Sequence, residues 1–259
     1  MTDDVERGSR LGRAMAVIYG LVCYLAFLAS FLYAVGFVGN FLVPKSIDSG
    51  PTVQLPTAIL ADALLLLCFA VPHSVMARPA FKRWWTRLVP TVVERSTYVL
   101  QSSLLLGLLF WQWRPIPAVV WHVETPIICW LIHAVFWTGW ALVLISTFLI
   151  DHFDLFGLRQ VFLHASGRAY SPREFQISGL YRYIRHPLMT GFLLAFWATP
   201  TMTVGHLLFA LATTGYILIA LRLEERDLLD LHGESYRAYQ ERVGMLIPLA
   251  KRRDGRHRP

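Results

Sequence analysis

The 259-residue chain contains 55% hydrophobic and only 16% charged residues, and its mean hydropathy is +0.47. Because soluble domains carry roughly 25% charged residues, this composition excludes a water-soluble fold and indicates a multi-pass α-helical membrane protein. The net charge of +7 is then a property of the membrane-flanking loops and not a sign of nucleic-acid binding. Three cysteines, Cys23, Cys68 and Cys129, fall in separate apolar segments, so neither a disulfide framework nor a metal site is expected.

In chain order, four segments have about the 20 apolar residues that a helix needs to cross the bilayer core. They cover 14–38, 57–76, 96–113 and 126–150. A further pair, 187–199 and 202–223, is joined by a tight turn at Pro200-Thr201, and its first member is too short to span unaided. We therefore predict an all-α fold, with 1–259 as a single transmembrane domain of five to six bundled helices whose last two form a hairpin.

The basic residues are distributed unevenly around these segments. Only Lys45 and Arg114 lie on one side, which leaves 22 of the 24 Lys and Arg residues on the other. The positive-inside bias places that side, with both termini, in the cytoplasm. The basic tail 251–259 is predicted to bind anionic lipid. The segments 78–87 and 234–242, where aromatic and basic residues alternate, are predicted to be helices lying in the membrane interface.

Ionisable residues near membrane depth are the most informative candidates in a membrane protein. Here they collect where the predicted helices reach the cytoplasmic side. Charges just beyond a helix end are often only solvated by the interface, and this alternative is favoured for Arg182, Arg226 and Asp227. The remaining groups form four clusters: His73; Asp151, His152 and Asp154; Tyr181, Arg185, His186 and Pro187; Glu224 and Glu225.

The third and fourth clusters suit the two ends of one ligand. Pro187 favours the first position of a helix, so the free N–H groups of the next turn would point at the preceding loop. A helix N-terminus beside Arg185 suits an anion such as a carboxylate. Gly191, one turn further on, would let a flat ligand approach the backbone. Glu224 and Glu225 offer acceptors for an ammonium or a diol, which together indicates an amino acid joined to a nucleoside.

The motif Arg185-His186-Pro187-x-x-x-Gly191, followed by Glu224-Glu225, resembles the signature of the isoprenylcysteine carboxyl methyltransferase and phospholipid methyltransferase superfamily. The ending His232-Gly233-Glu234-Ser235-Tyr236-x-x-Tyr239 is similar to the same pattern. The sequence departs from it at Leu188-Met189, where the superfamily commonly has an aromatic residue. The resemblance implies an S-adenosylmethionine site near the cytoplasmic face, in a hairpin at 177–248 that uses Tyr181, Arg185, His186, Pro187, Gly191, Glu224 and Glu225.

Much of the remaining chain, including His73-Ser74-Val75-Met76-Ala77-Arg78 and Asp151-His152-Phe153-Asp154, resembles a bacterial branch that contains the methanethiol S-methyltransferases. This resemblance implies an enzyme of the bacterial cytoplasmic membrane that methylates a small thiol, methanethiol, to dimethyl sulfide. The alternatives that stay open are an isoprenylcysteine or lipid acceptor, a sterol-type reductase with a nicotinamide cofactor, and a non-enzymatic membrane protein associated with denitrification. The sequence does not indicate an oligomeric state.

Methylation of a thiol requires a thiolate, which is the nucleophilic form. A base or a local positive field is therefore useful, and His73, His152 and His186 are the candidate bases. We expect His152 with Asp151 nearest the substrate and His186 nearer the cofactor. Asp151 or Asp154 would orient a histidine or attract the sulfonium charge. The predicted catalytic set is thus Asp151, His152, His73 and Asp154.

Overall fold

A computed structural model describes residues 9–171, 177 and 179–248. The basic tail 251–259 lies outside these residues. The chain divides into two compact units. Unit 1 comprises Met1–Val119, Asp151–Glu174 and Thr203–His206, and unit 2 comprises Val120–Ile150, Phe175–Met202 and Leu207–Pro259.

Most of the described residues are helical. A 3₁₀ turn at Gly179–Arg182 precedes α8. In chain order the elements are α1 (Arg10–Gly39), α2 (Leu55–Ala77), α3 (Pro79–Trp85), α4 (Thr91–Gln112), β1 (Val119–His122), α5 (Pro126–Ile150), α6 (His152–Leu155), α7 (Leu158–Ala165), α8 (Pro187–Trp197), β2 (Thr201–Thr203), α9 (Val204–His232) and α10 (Glu234–Arg242).

Four helices, α1, α2, α5 and α9, are long and apolar enough to cross a membrane by length and composition. The helix predicted for 96–113 is present as α4, with 22 residues, but its first half is more polar than those of the four. Its polar side chains bond within unit 1: Thr97 contacts Tyr19 at 3.0 Å and Ser102 contacts His73 at 3.0 Å. The short member of the predicted pair is α8, with only 11 residues.

Helix α9 continues to His232, beyond residue 223, where the predicted membrane segment ends. No glycine or proline occurs between residue 223 and Gly233, whose φ of +55° suits a glycine beyond a helix end. Leu228 and Leu229 in this extension pack against the buried side chains of Tyr236, Tyr239 and Val243. Glu224 and Glu225 therefore lie within a helix and not beyond its end.

Several short elements accompany the long helices. The two segments predicted to be interfacial helices are helical, as α3 and α10, while their position in the interface stays a prediction. The sheet of β1 and β2 was not predicted. Its strands contain β-branched residues, including Val119, Val120 and Thr203, which favour extended backbone. The predicted turn at Pro200-Thr201 therefore leads into a strand before α9 begins.

Glycines set the close helix contacts in each unit. In unit 2, a Cβ atom on Gly191 of α8 would lie 2.6 Å from the carbonyl oxygen of Gly139 in α5, so these two helices touch backbone to backbone. In unit 1, Gly157 has a φ of +86°, and a Cβ atom there would lie 2.6 Å from Oγ of Ser96. This contact fixes the turn between α6 and α7 against α4.

Candidate active site

Arg185 is the centre of a buried polar network in unit 2. The residue is 7% exposed, and its Nε donates to Oε1 of Glu225 at 2.7 Å. Its Nη1 donates to the carbonyl oxygens of Gln240 at 3.0 Å and Val243 at 2.7 Å. The guanidinium thereby ties the loop before α8 to α9 and to the segment that includes the end of α10.

Glu225 completes this network with both of its carboxylate oxygens. Besides Arg185, it bonds Nε2 of His186 at 3.1 Å and accepts from Nε2 of Gln240 at 3.0 Å. Its side chain is only 14% exposed. Arg185 and Glu225 were both predicted to bind the cofactor, but the structure shows that each has partners within the protein. The predicted binding role stays a prediction.

Glu224 differs from its neighbour, because its side chain is 48% exposed. One carboxylate oxygen lies 4.0 Å from Nδ1 of His186, so this edge of the imidazole and the carboxylate face the same space. Burial, and then the charge of Glu224, raise the pKa of the Tyr181 phenol. Tyr181 thus stays a neutral donor at neutral pH, and its backbone carbonyl accepts from the hydroxyl of Tyr239 at 2.5 Å.

The start of α8 carries the rest of the predicted cofactor residues. Pro187 is its first residue, and His186, the preceding residue, makes no side-chain cap. The N–H groups of the first helical turn have no acceptor within the helix, which suits a carboxylate. At Gly191, one turn on, the space beside the α-carbon is filled by α5. The structure therefore explains that glycine by helix packing, and its predicted contact with a ligand stays a prediction.

In unit 1, a sharp turn presents Asp151 and His152. Asp151 has a φ of +152°, a strained value for a residue with a Cβ, and its Oδ1 accepts from the N–H of Asp154 at 3.3 Å. This carboxylate caps α6, whose first residue is His152. His152 is 5% exposed.

The imidazole of His152 contacts a hydroxyl group on α1. Its Nε2 lies 2.9 Å from the hydroxyl of Tyr24 on α1. Burial lowers the pKa of His152, and the nearby charge of Asp151 opposes that effect. The ring is therefore neutral at pH 7 and can accept a proton.

Asp154, on the same turn, is held by a different set of partners. Its carboxylate pairs with Arg159 at 3.1 Å and accepts from Gln160 at 3.2 Å and from the hydroxyl of Tyr170 at 3.3 Å. Burial, and then the charge of Asp154, raise the pKa of Tyr170. The Asp154 side chain is therefore held in place by several bonds to neighbouring residues.

An open cleft of about 380 Å³ lies beside this turn. Three of its lining side chains are apolar and two are charged. The residues that line it are Asp151, Phe153, Leu158, Arg159 and Phe162.

His73 belongs to a separate cluster between α2 and α4. Its Nδ1 lies 3.0 Å from Oγ of Ser102, and the hydroxyl of Tyr98 lies 3.0 Å from its Nε2. Phe69 stacks on its ring with a centroid distance of 4.9 Å. Within unit 1 the structure thus brings Asp151, His152 and Asp154 onto one turn, and gives His73 its own partners.

Among the residues of these sites that were not predicted, two contact a predicted residue directly and carried some signal in the sequence. Gln240 contacts Glu225, and it directly follows Tyr239 in the C-terminal pattern that was singled out. Tyr24 contacts His152, and its signal was a hydroxyl-bearing ring in the middle of an apolar helix, where a polar group needs a partner.

Comparison with known proteins then gives the family. Over 250 residues the chain is 57% identical to methanethiol S-methyltransferase 2 of Bradyrhizobium diazoefficiens. The aligned residues cover 95% of this chain and 96% of that protein. Over 236 residues it is 55% identical to a methanethiol S-methyltransferase of Mycobacterium tuberculosis, covering 91% of this chain and 97% of that one. The chain belongs to the methanethiol S-methyltransferase family. Membership makes it a methyltransferase, and such an enzyme requires a methyl donor.

A more distant similarity extends outside bacteria. Nurim of Rattus norvegicus is 34% identical over 193 residues, which cover 69% of this chain and 71% of that protein. No family model matches the chain, and no solved structure matches it.

Proposed function

We propose that the protein transfers the methyl group of S-adenosylmethionine to methanethiol and releases dimethyl sulfide. The observation that carries this proposal is the similarity to methanethiol S-methyltransferases, at 57% identity over nearly the whole of both chains. The recognition motif Arg185-His186-Pro187 and the geometry of the two sites described above support it.

The hydrogen-bond donors and acceptors of unit 2 suit S-adenosylmethionine. When bound, the cofactor supplies a methyl group on a positively charged sulfur and leaves as S-adenosylhomocysteine. The exposed carboxylate of Glu224 would bind the amino group or the ribose hydroxyls, and the N–H groups at the start of α8 would bind the carboxylate. Tyr181 would donate a hydrogen bond nearby. Arg185 and Glu225 would hold this arrangement in place through their ion pair.

In unit 1, His152 would act as the base for the acceptor. A thiol with a pKa near 8.5 or above is mostly protonated at neutral pH, so its proton must be removed. In the proposed step the imidazole would take the thiol proton, which leaves a thiolate as the nucleophile for the methyl group that the bound cofactor would supply. Asp151 would stabilise the imidazolium that results. His73 is the second candidate base, and Asp154 would fix the turn that carries His152.

The proposed location is the bacterial cytoplasmic membrane, with the termini and both sites on the cytoplasmic side. Four helices of spanning length support a multi-pass arrangement. The asymmetry of 22 basic residues on one side, with Lys45 and Arg114 on the other, supports the orientation. A cysteine-labelling assay on intact cells, with single cysteines placed at residues 50 and 168, would test it.

The activity is tested with purified protein in lipid nanodiscs. Incubation with methanethiol and S-adenosylmethionine carrying a deuterated methyl group should release dimethyl sulfide of the corresponding mass into the headspace. Calorimetry should show binding of S-adenosylhomocysteine and no binding of a reduced nicotinamide nucleotide. If no labelled dimethyl sulfide forms and a farnesylated cysteine is methylated instead, methanethiol is not the acceptor. The protein would then be an isoprenylcysteine methyltransferase.

A further inference from the structure

Lys82 and Arg95 bring two positive charges near each other in unit 1. Lys82 lies in the last turn of α3, and Arg95 follows Glu94 near the start of α4. Both side chains are partly buried, whereas Arg83, the residue after Lys82, is exposed. Burial lowers the pKa of the Lys82 ammonium, and the charge of Arg95 lowers it further. The two cations therefore destabilise each other where they stand.

The nearby carboxylate does not neutralise this pair. The charge of Glu94 opposes the effect of Arg95 on Lys82. Arg78, between α2 and α3, adds a further positive charge. In the part of the chain that the structure describes, no carboxylate lies within ion-pair distance of Lys82 or Arg95. Arg95 lies instead over the ring of Tyr98, 5.9 Å from its centroid. Three cations beside one carboxylate leave this position with an excess of positive charge.

The surface next to these cations is apolar and aromatic. Phe81, Trp84 and Trp85 of α3 form a cluster, with 5.3 Å between the ring centroids of Phe81 and Trp84 and 5.8 Å between those of Phe81 and Trp85. Trp84 is 50% exposed, and Leu88, shortly after the helix, is 67% exposed. Tryptophan is typical of the layer between lipid headgroups and acyl chains. Because α3 directly follows α2, a helix of spanning length, it lies near the end of a membrane segment.

We propose that Lys82 and Arg95 bind the headgroup phosphate of an anionic phospholipid, whose acyl chains pack against Trp84 and Leu88. A phosphate between the two cations forms charge-assisted hydrogen bonds with both and offsets their repulsion. A lipid fits better than a free phosphate ion, because the ion makes no use of the exposed apolar side chains. Basic pockets at the ends of membrane helices bind anionic headgroups in this way.

Native mass spectrometry of the full-length protein, released from detergent after addition of lipid, measures this binding directly. The first phosphatidylglycerol should bind about tenfold more tightly than the first phosphatidylcholine, which has no net charge. Lys82→Gln and Arg95→Gln should each weaken the binding of phosphatidylglycerol about tenfold, since each loses one charge-assisted hydrogen bond. Equal affinities of the wild type for the two lipids would overturn the proposal.

Arg83→Gln is the matched control for Lys82→Gln. Both residues lie in the last turn of α3, so each change removes one positive charge from the same helix end. Arg83 is exposed, and its replacement should change the affinity for phosphatidylglycerol by less than about twofold. If Arg83→Gln and Lys82→Gln weaken binding equally, the attraction is spread over the surface and the proposed site is wrong.

Thermal unfolding separates lipid binding from a purely structural role of Lys82. Without anionic lipid, Lys82→Gln removes a charge that repels Arg95, so its Tm should equal or exceed that of the wild type. Exchange of phosphatidylcholine for phosphatidylglycerol in nanodiscs should raise the Tm of the wild type and of Arg83→Gln, but not that of Lys82→Gln. A Tm of Lys82→Gln that is lowered equally in both lipids would show that Lys82 only supports packing, and would refute the lipid site.

Inorganic phosphate tests the other source of the same chemical group. At millimolar concentration it should neither displace phosphatidylglycerol nor raise the Tm in detergent. Displacement of the lipid by inorganic phosphate would assign the site to a soluble anion and overturn the proposal. These measurements contain no thiol and no methyl donor, so their outcome does not depend on the proposed function.

Discussion

The adjacent residues Glu224 and Glu225 should respond in opposite ways to the same change. Glu225→Gln removes the charge that faces Arg185 at 2.7 Å, in a pair whose side chains are 7% and 14% exposed. Removing one partner of a buried pair costs about 3–5 kcal/mol, because the other charge remains without compensation. Glutamine keeps one acceptor oxygen, which can still bond either Arg185 or Gln240, so the lower end of that range is expected.

The measurement is thermal unfolding in detergent, followed by calorimetry with S-adenosylhomocysteine. A loss of about 3 kcal/mol corresponds to a fall in Tm of roughly 6–12 °C for a chain of this size. Glu224→Gln is the control for stability, because its carboxylate is 48% exposed and its loss should change Tm by no more than about 1–2 °C.

Ligand affinity should show the reverse contrast. Glu224→Gln should weaken binding of S-adenosylhomocysteine about 10–100-fold, as expected for the loss of a charge-assisted hydrogen bond. The reasoning is refuted if Glu225→Gln unfolds at the wild-type temperature, or if Glu224→Gln destabilises the protein as much as Glu225→Gln does.

Three further predictions concern backbone packing, strain and pH. Gly191→Ala should lower the free energy of unfolding by about 1–3 kcal/mol, because the new Cβ meets Gly139. Gly215→Ala is the control: this glycine faces open space on α9, so the change should raise the free energy of unfolding slightly. Chemical denaturation measures both. Asp151→Gly should stabilise the fold by about 1 kcal/mol through relief of strain, but it should lose turnover. Asp151→Asn should lose turnover without becoming more stable. Normal turnover in either variant would contradict the role of the carboxylate. Burial lowers the folded-state pKa of His152, so the unfolded chain binds the proton first as the pH falls. The free energy of unfolding should therefore decrease as the pH drops below about 6.5 towards the folded-state pKa. His152→Gln should lack this contribution to the pH dependence of stability.

The membrane class could be predicted because composition and helix length are properties of continuous segments. Helix α5 has the limits predicted for it, and the motif around Arg185 led directly to the polar network of unit 2. The membrane segment predicted for 202–223 covers part of α9, which continues to His232. Gly233 is the first glycine after residue 223, and α9 ends directly before it.

The roles within the site were harder to predict, because a sequence shows which groups exist and not which are already bonded. From the sequence alone, Arg185 and Glu225 are both candidates for ligand binding. The structure shows that they bond each other, with 2.7 Å between Nε and Oε1. Tyr24 and His152 are 128 positions apart, so no local pattern could pair them. Gly191 was expected to admit a ligand, and the structure shows a neighbouring helix beside it.

The contact between Gly139 and Gly191 has a consequence for how this family can diverge. Each α-carbon faces the carbonyl oxygen of the other residue, at distances that leave no room for a side chain on either. Every single-codon change from glycine adds at least a Cβ, so neither position can drift first and wait for the other to compensate. Distant homologues should therefore retain both glycines while exposed positions on the same helix, such as Trp130 and Trp137, exchange freely.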